Sequence, residues 1–116
     1  MNNINFQKIC NDLCDTYSLE PIKVELKNTR RGYARHKKRK ITIPKFAVGY
    51  GKPYSLYYII HEFCHFLTNG GHCSYFKDVE TEVLESYGLI PIYKRVFAKE
   101  LYDLNDNLLW PWEGQK

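Results

Sequence analysis

Three histidines and a glutamate fall within the stretch HEFCHFLTNGGH, residues 61 to 72. On a helix, His61 and His65 project from one face a turn apart, so both imidazoles can reach a common metal ion. Glu62 lies about 100° round the helix from His61, placed to bind a water molecule rather than the ion. H-E-x-x-H on a helix is the pattern of zinc metallopeptidases: two ligands and a general base. Catalytic zinc ordinarily takes three protein ligands and keeps a further position for water, so another donor is required. His72 lies beyond Asn69, Gly70 and Gly71, which stop the helix, and the glycines allow the chain to turn back toward the ion. Glu80 competes for the same role and would give a site of two histidines and one glutamate. With His72 as the ligand, Glu80 is free instead to orient a ligating histidine from behind.

A buried helix must carry these groups. Tyr54 to Thr68 is apolar nearly all round, as a core helix is, and Pro53 suits its first turn, with AVGYGKP before it expected as a loop. Upstream, Phe6, Ile9, Cys10, Leu13, Cys14 and Tyr17 form one apolar stripe on a helix expected over residues 4 to 17 and broken by Glu20 and Pro21. PIKVEL alternates apolar and charged residues as a half-buried strand does, and GYARHKKRKITIP is expected to be a strand, a charged turn and a second strand ending at Pro44. Together these predict a small antiparallel sheet, with Lys40 to Ile43 as an edge where an extended peptide could add by strand pairing. A further helix is expected from Tyr75 to Tyr87, closed by Gly88, with Phe76, Val79, Val83, Leu84 and Tyr87 on its apolar face. Glu80 falls inside that stripe while Glu82 and Glu85 point away, and a carboxylate on a buried face needs a cation or hydrogen-bond donors. In the tail, turn-like Asn105-Asp106-Asn107 between apolar stretches suggests either a terminal hairpin or a short helix.

HEFCHFLTNGGHCSYFK resembles the zinc-binding core of SprT-like metallopeptidases. There, H-E-x-x-H is followed by a short spacer and a G-H-x-x-x-F element, which in this chain is Gly71, His72 and Phe76. The likeness spans roughly residues 20 to 90, and Cys73 stands where that family usually has glycine or another small or polar residue. It implies a small zincin-like α+β domain, Zn2+ held by His61, His65 and His72, Glu62 as general base, and a protein or peptide substrate. The chain is also similar to the minimal single-domain peptidases called minigluzincins, which implies a latent enzyme with Glu80 as the third ligand. If either likeness holds, Tyr87 or Tyr93 is a candidate to assist the oxyanion, and Asp103, Asp106 or Glu113 of the tail a candidate to block the cleft. A reading from a different class is a non-catalytic, zinc-stabilised module that binds nucleic acid.

Composition bounds these expectations. A chain of 116 residues, 44% hydrophobic and 16% aromatic, predicts one packed domain over residues 1–116 rather than a disordered segment. No apolar run approaches the roughly twenty residues that span a bilayer, and MNNINFQKICNDLC lacks the features of a signal peptide, so a soluble, cytoplasmic protein without a membrane partner is expected. The four cysteines then read as free thiols, and with no C-x-x-C pair a cysteine-built zinc site is not expected. The net charge of +4 is local: Arg30, Arg31, Arg35, Lys37, Lys38, Arg39 and Lys40 have no acid among them, and outside them ten Lys/Arg face thirteen Asp/Glu. Arg30 to Lys40 is either a solvated hairpin tip or a set of phosphate contacts to nucleic acid, with Tyr33 available to stack on a base.

Overall fold

The first helix, α1 (Phe6–Tyr17), buries Phe6, Cys10, Leu13 and Cys14 as its apolar spacing requires. The computed structural model describes residues 5–111, so Ile4, included in the expected helix, lies outside them. Asn5 caps the start by accepting from the Lys8 amide at 3.0 Å. The helix ends at Ser18, in the left-handed region at φ 59°, before Glu20 and Pro21 are reached.

Strands β1 (Lys23–Lys27), β2 (Tyr33–Arg35) and β3 (Lys40–Pro44) form a sheet in the order β1-β3-β2. The β2–β3 pair is the expected antiparallel hairpin, but β1 runs parallel to β3, so the sheet is mixed rather than antiparallel. The reason is the connection over residues 28–32, which carries the chain past the place β3 will take before the hairpin turns back into the gap. This also corrects the expected edge. Lys40 to Ile43 lies in the central strand, paired on both sides. The Gln7 side chain covers the outer side of β1, donating to the Ile22 carbonyl at 2.9 Å and accepting from the Val24 amide at 2.8 Å. Among the described residues, no comparable hydrogen bond covers the outer side of β2, the other edge strand.

One turn of helix, α2 (Phe46–Gly49), replaces the loop expected there. It buries Ala47, whose carbonyl accepts from the Ser55 hydroxyl at 3.1 Å. Helix α3 (Lys52–Thr68) carries Pro53 in its first turn and is the core element: Ile59, Ile60, Phe63 and Cys64 are fully buried. Asn69 closes it at φ 53°; Gly70 and Gly71, expected to supply the left-handed turn, are not in that region. Helix α4 (Ser74–Ser86) buries Phe76, Glu80, Val83 and Leu84 against α3, and Gly88 follows at φ 78°.

The tail forms more than a hairpin. Strands β4 (Ile90–Lys94), β5 (Phe97–Tyr102) and β6 (Leu108–Trp110) make an antiparallel meander in chain order. The last turn is held by Asp103, whose carboxylate accepts from the Asn105 and Asn107 amides and from the Asn107 side chain. The whole is an α+β fold with two small sheets, and among the described residues no helix is long and apolar enough to cross a membrane.

Candidate metal centre

His61 and His65 leave the same face of α3, and the turn after Asn69 brings His72 back over them, as their spacing suggests. One ring nitrogen from each lies within 4.8 Å of the others, the only such cluster of potential ligands among the described residues. The Nε2 atoms of His61 and His72 are 3.1 Å apart. A tetrahedral zinc with Zn–N distances of about 2.0–2.1 Å places its ligand nitrogens about 3.3 Å apart, so this pair already stands near the required separation.

The ring nitrogens that face away have partners that fix the tautomers. His65 Nδ1 lies 2.8 Å from the Gly70 carbonyl, which can only accept, so Nδ1 holds the proton and Nε2 presents its lone pair. His61 Nδ1 donates to Glu80 Oε2 at 2.6 Å by the same reasoning, and Tyr93 donates its hydroxyl to Glu80 Oε1 at 2.5 Å. Both carboxylate oxygens of Glu80 are therefore engaged, one behind His61 and one with Tyr93. Glu80 is fully buried, as its place in the α4 stripe requires, and a carboxylate without these donors would be costly there. Burial also lowers the pKa values of His65 and His72; nearby His61 acts in the same direction, against the Gly70 hydrogen bond at His65 and the Glu80 charge at both. Neutral imidazoles suit metal ligation.

Glu62 is buried beside this cluster. Its pKa is raised to about 7, chiefly by burial; the His61 imidazole opposes that shift and Glu80 adds to it. Gly32, just before β2, approaches closely: a Cβ there would lie 3.0 Å from Glu62 Oε2, 2.9 Å from the Thr42 carbonyl and 2.5 Å from Tyr58 Cε1. The open edge strand thus begins against the glutamate.

Two phenylalanines frame the histidines. Phe76, fully buried, packs its ring 5.2, 4.8 and 5.1 Å from those of His61, His65 and His72. Phe97, 52% exposed, lies 5.1 and 5.5 Å from His61 and His72 on the side of the second sheet. Nothing in the sequence pattern marks Phe97, Gly32 or the Tyr93 hydroxyl on Glu80, because each depends on a contact between distant elements. The two tyrosines offered for an oxyanion separate: Tyr93 is tied to Glu80, whereas Tyr87 has Asp12, Lys8 and Tyr17 of α1 as its neighbours. Asp103 is committed to its own turn, Asp106 sits in that turn at φ 66°, and Glu113 lies outside the described residues.

The basic block divides. Arg39 lies back along the chain, donates to the carbonyls of Glu20 and Pro21, and stacks on Phe66 at 5.4 Å. His36 donates to the His65 carbonyl at 2.8 Å, a structural tie to α3. Arg35, Lys38 and Lys40 instead join Lys27 around a cavity of about 430 Å³ on the outer face of the first sheet. Arg35 lies 5.1 Å over the Tyr33 ring, and Glu25 sits within 3.7 Å of Lys23, Lys27 and Lys40. No family model matches this chain, and no curated protein or solved structure matches it.

Proposed function

We propose that the protein is a zinc-dependent peptidase of zincin type, with His61, His65 and His72 holding the ion and Glu62 serving as general base. The observation that carries this reading is the convergence of three imidazole nitrogens beside a buried glutamate on the same helix. The donor set fits zinc: imidazole nitrogens at close spacing, two of them fixed by partners behind the ring. When bound, zinc supplies Lewis acidity, polarising a carbonyl and acidifying a water molecule.

The chain's own groups supply the rest. Glu62, buried on the same helix beside the three histidines, is placed to take a proton from the attacking water and return it to the departing amine. Glu80 holds His61 in one tautomer and orientation, and Tyr93 holds Glu80; in this arrangement the glutamate supports a ligand rather than acting as one. Phe76 closes the buried side of the cluster to water. The β2 edge offers backbone groups to an extended substrate beginning beside Glu62. The test is Glu62→Gln: the variant should retain zinc as wild type does and lose peptide cleavage. Full cleavage by that variant would refute the assignment.

The cationic cavity on the first sheet favours a second reading, contact with nucleic acid through part of the Arg30 to Lys40 segment together with Lys27. DNA or RNA affinity measured across salt concentrations tests it: binding that weakens steeply with salt supports it, and no binding at low salt removes it.

A further inference from the structure

A second cavity, of about 330 Å³, opens beside the histidines and has His61 as one of its walls. Tyr54, Tyr57, Tyr58 and His61 come from α3 at the spacing of one helix face, and Phe97, Ala98 and Trp110 close the cavity from β5 and β6. No charged side chain is among the lining residues. The Tyr54 and Trp110 rings lie 4.6 Å apart and the Tyr57 and His61 rings 5.7 Å apart, so the wall is continuous aromatic surface running up to the histidine cluster. The hydroxyls of Tyr57 and Tyr58 accept from the Ala98 and Gly32 amides at 3.0 and 2.8 Å, which anchors both rings to the strands around the centre.

Size and position restrict what this cavity can hold. Its volume is at the low end of the range of about 300–1,000 Å³ typical of small-molecule sites, enough for one bulky group. Since His61 is both cavity wall and candidate zinc ligand, an occupant sits next to the place where a carbonyl would react. An extended chain advances about 3.3 Å per residue, so that occupant belongs to a residue immediately flanking the reacting bond. We propose that the cavity receives an aromatic or large aliphatic side chain of the substrate polypeptide at a position flanking the cleaved bond, and so sets the peptidase's specificity. This rests on the peptidase reading and deepens it.

Zinc-loaded full-length protein incubated with a randomised peptide library, followed by sequencing of the cut sites, reads the preference. One position beside the cut should be enriched in Phe, Tyr, Trp, Leu or Met, and replacing that residue with Ala in a good substrate should lower kcat/KM by at least about tenfold. Ala98→Leu, which fills the cavity, should shift the preference to small residues, and Trp110→Ala, which widens it, should relax the preference; zinc content should stay at the wild-type level in both. A second measurement does not depend on cleavage. The Ala98 methyl signal of zinc-free protein should shift in NMR titration with N-acetyl-phenylalaninamide and not with N-acetyl-alaninamide. A library cut without preference, or a preference unchanged in both variants, overturns the proposal, as does an Ala98 methyl indifferent to the aromatic amide. Aromatic binding without any cleavage would support the pocket and count against the peptidase reading alone.

Discussion

Replacing Gly32 with alanine tests how the start of β2 is coupled to Glu62, the proposed general base. A Cβ at this position would stand 2.5 Å from Tyr58 Cε1, 2.9 Å from the Thr42 carbonyl and 3.0 Å from Glu62 Oε2. The first two distances are shorter than packed side chains tolerate, and the Thr42 carbonyl belongs to a central strand that cannot retreat. Tyr58 is not free to swing aside either, because its hydroxyl accepts from the Gly32 amide at 2.8 Å. Relief must come from moving the start of β2, the Tyr58 ring and Glu62 together. Overpacking of this kind costs about 1–3 kcal/mol, a fall in Tm on the order of 4 °C per kcal/mol for a domain of this size. A displacement near 1 Å at a catalytic group costs about a hundredfold in rate. Thermal unfolding followed by circular dichroism, with peptide cleavage and zinc content on the same preparation, should show a lower Tm, a large loss of kcat and unchanged zinc. A Gly32→Ala protein with wild-type Tm and wild-type kcat would refute the close approach and its link to Glu62.

Tyr93→Phe removes the hydroxyl that donates to Glu80 Oε1 and leaves a buried carboxylate oxygen without that partner; chelator-competition titration should show zinc affinity reduced by about tenfold or more, and unchanged affinity would count against the Tyr93–Glu80–His61 chain. The thiols should divide sharply under alkylation at neutral pH. Cys73 is exposed and should label quickly, whereas Cys10, Cys14 and Cys64 are buried, burial and the adjacent Cys14 holding the Cys10 pKa up to about 12. Mass spectrometry of native protein should therefore find one fast-modified cysteine, with all four modified only after denaturation; fast labelling of Cys10 or Cys64 in native protein would contradict the packing.

How far the sequence carried can be judged from particular residues. The α3 helix and its histidines were legible because a helix fixes the relation between positions one turn apart, and burial on all sides requires an apolar run. Glu80 was legible for the same reason: one acidic residue stood inside an otherwise apolar stripe, and it is buried in that stripe. The parallel pairing of β1 with β3 was not, because alternation tells which face of a strand is buried and says nothing about which neighbour it joins. How the charged block divides was not legible either. Seven cations in one stretch look like one surface, yet Arg39 spends its guanidinium on backbone carbonyls and Phe66, while Lys27 from another strand joins the cavity. Asn69 shows a finer limit, since the residue that takes the left-handed turn is the asparagine and not the glycines beside it.

Zinc stoichiometry and affinity, measured by elemental mass spectrometry and chelator competition on wild type, His72→Ala and Glu80→Gln, test the central claim most directly. Wild type should bind one zinc tightly; His72→Ala, left with two imidazoles, should lose tight binding; Glu80→Gln should retain the ion with affinity lowered about 10–100-fold. A wild-type protein that binds no zinc, or a Glu80→Gln protein that loses the ion while His72→Ala keeps it, would contradict the account.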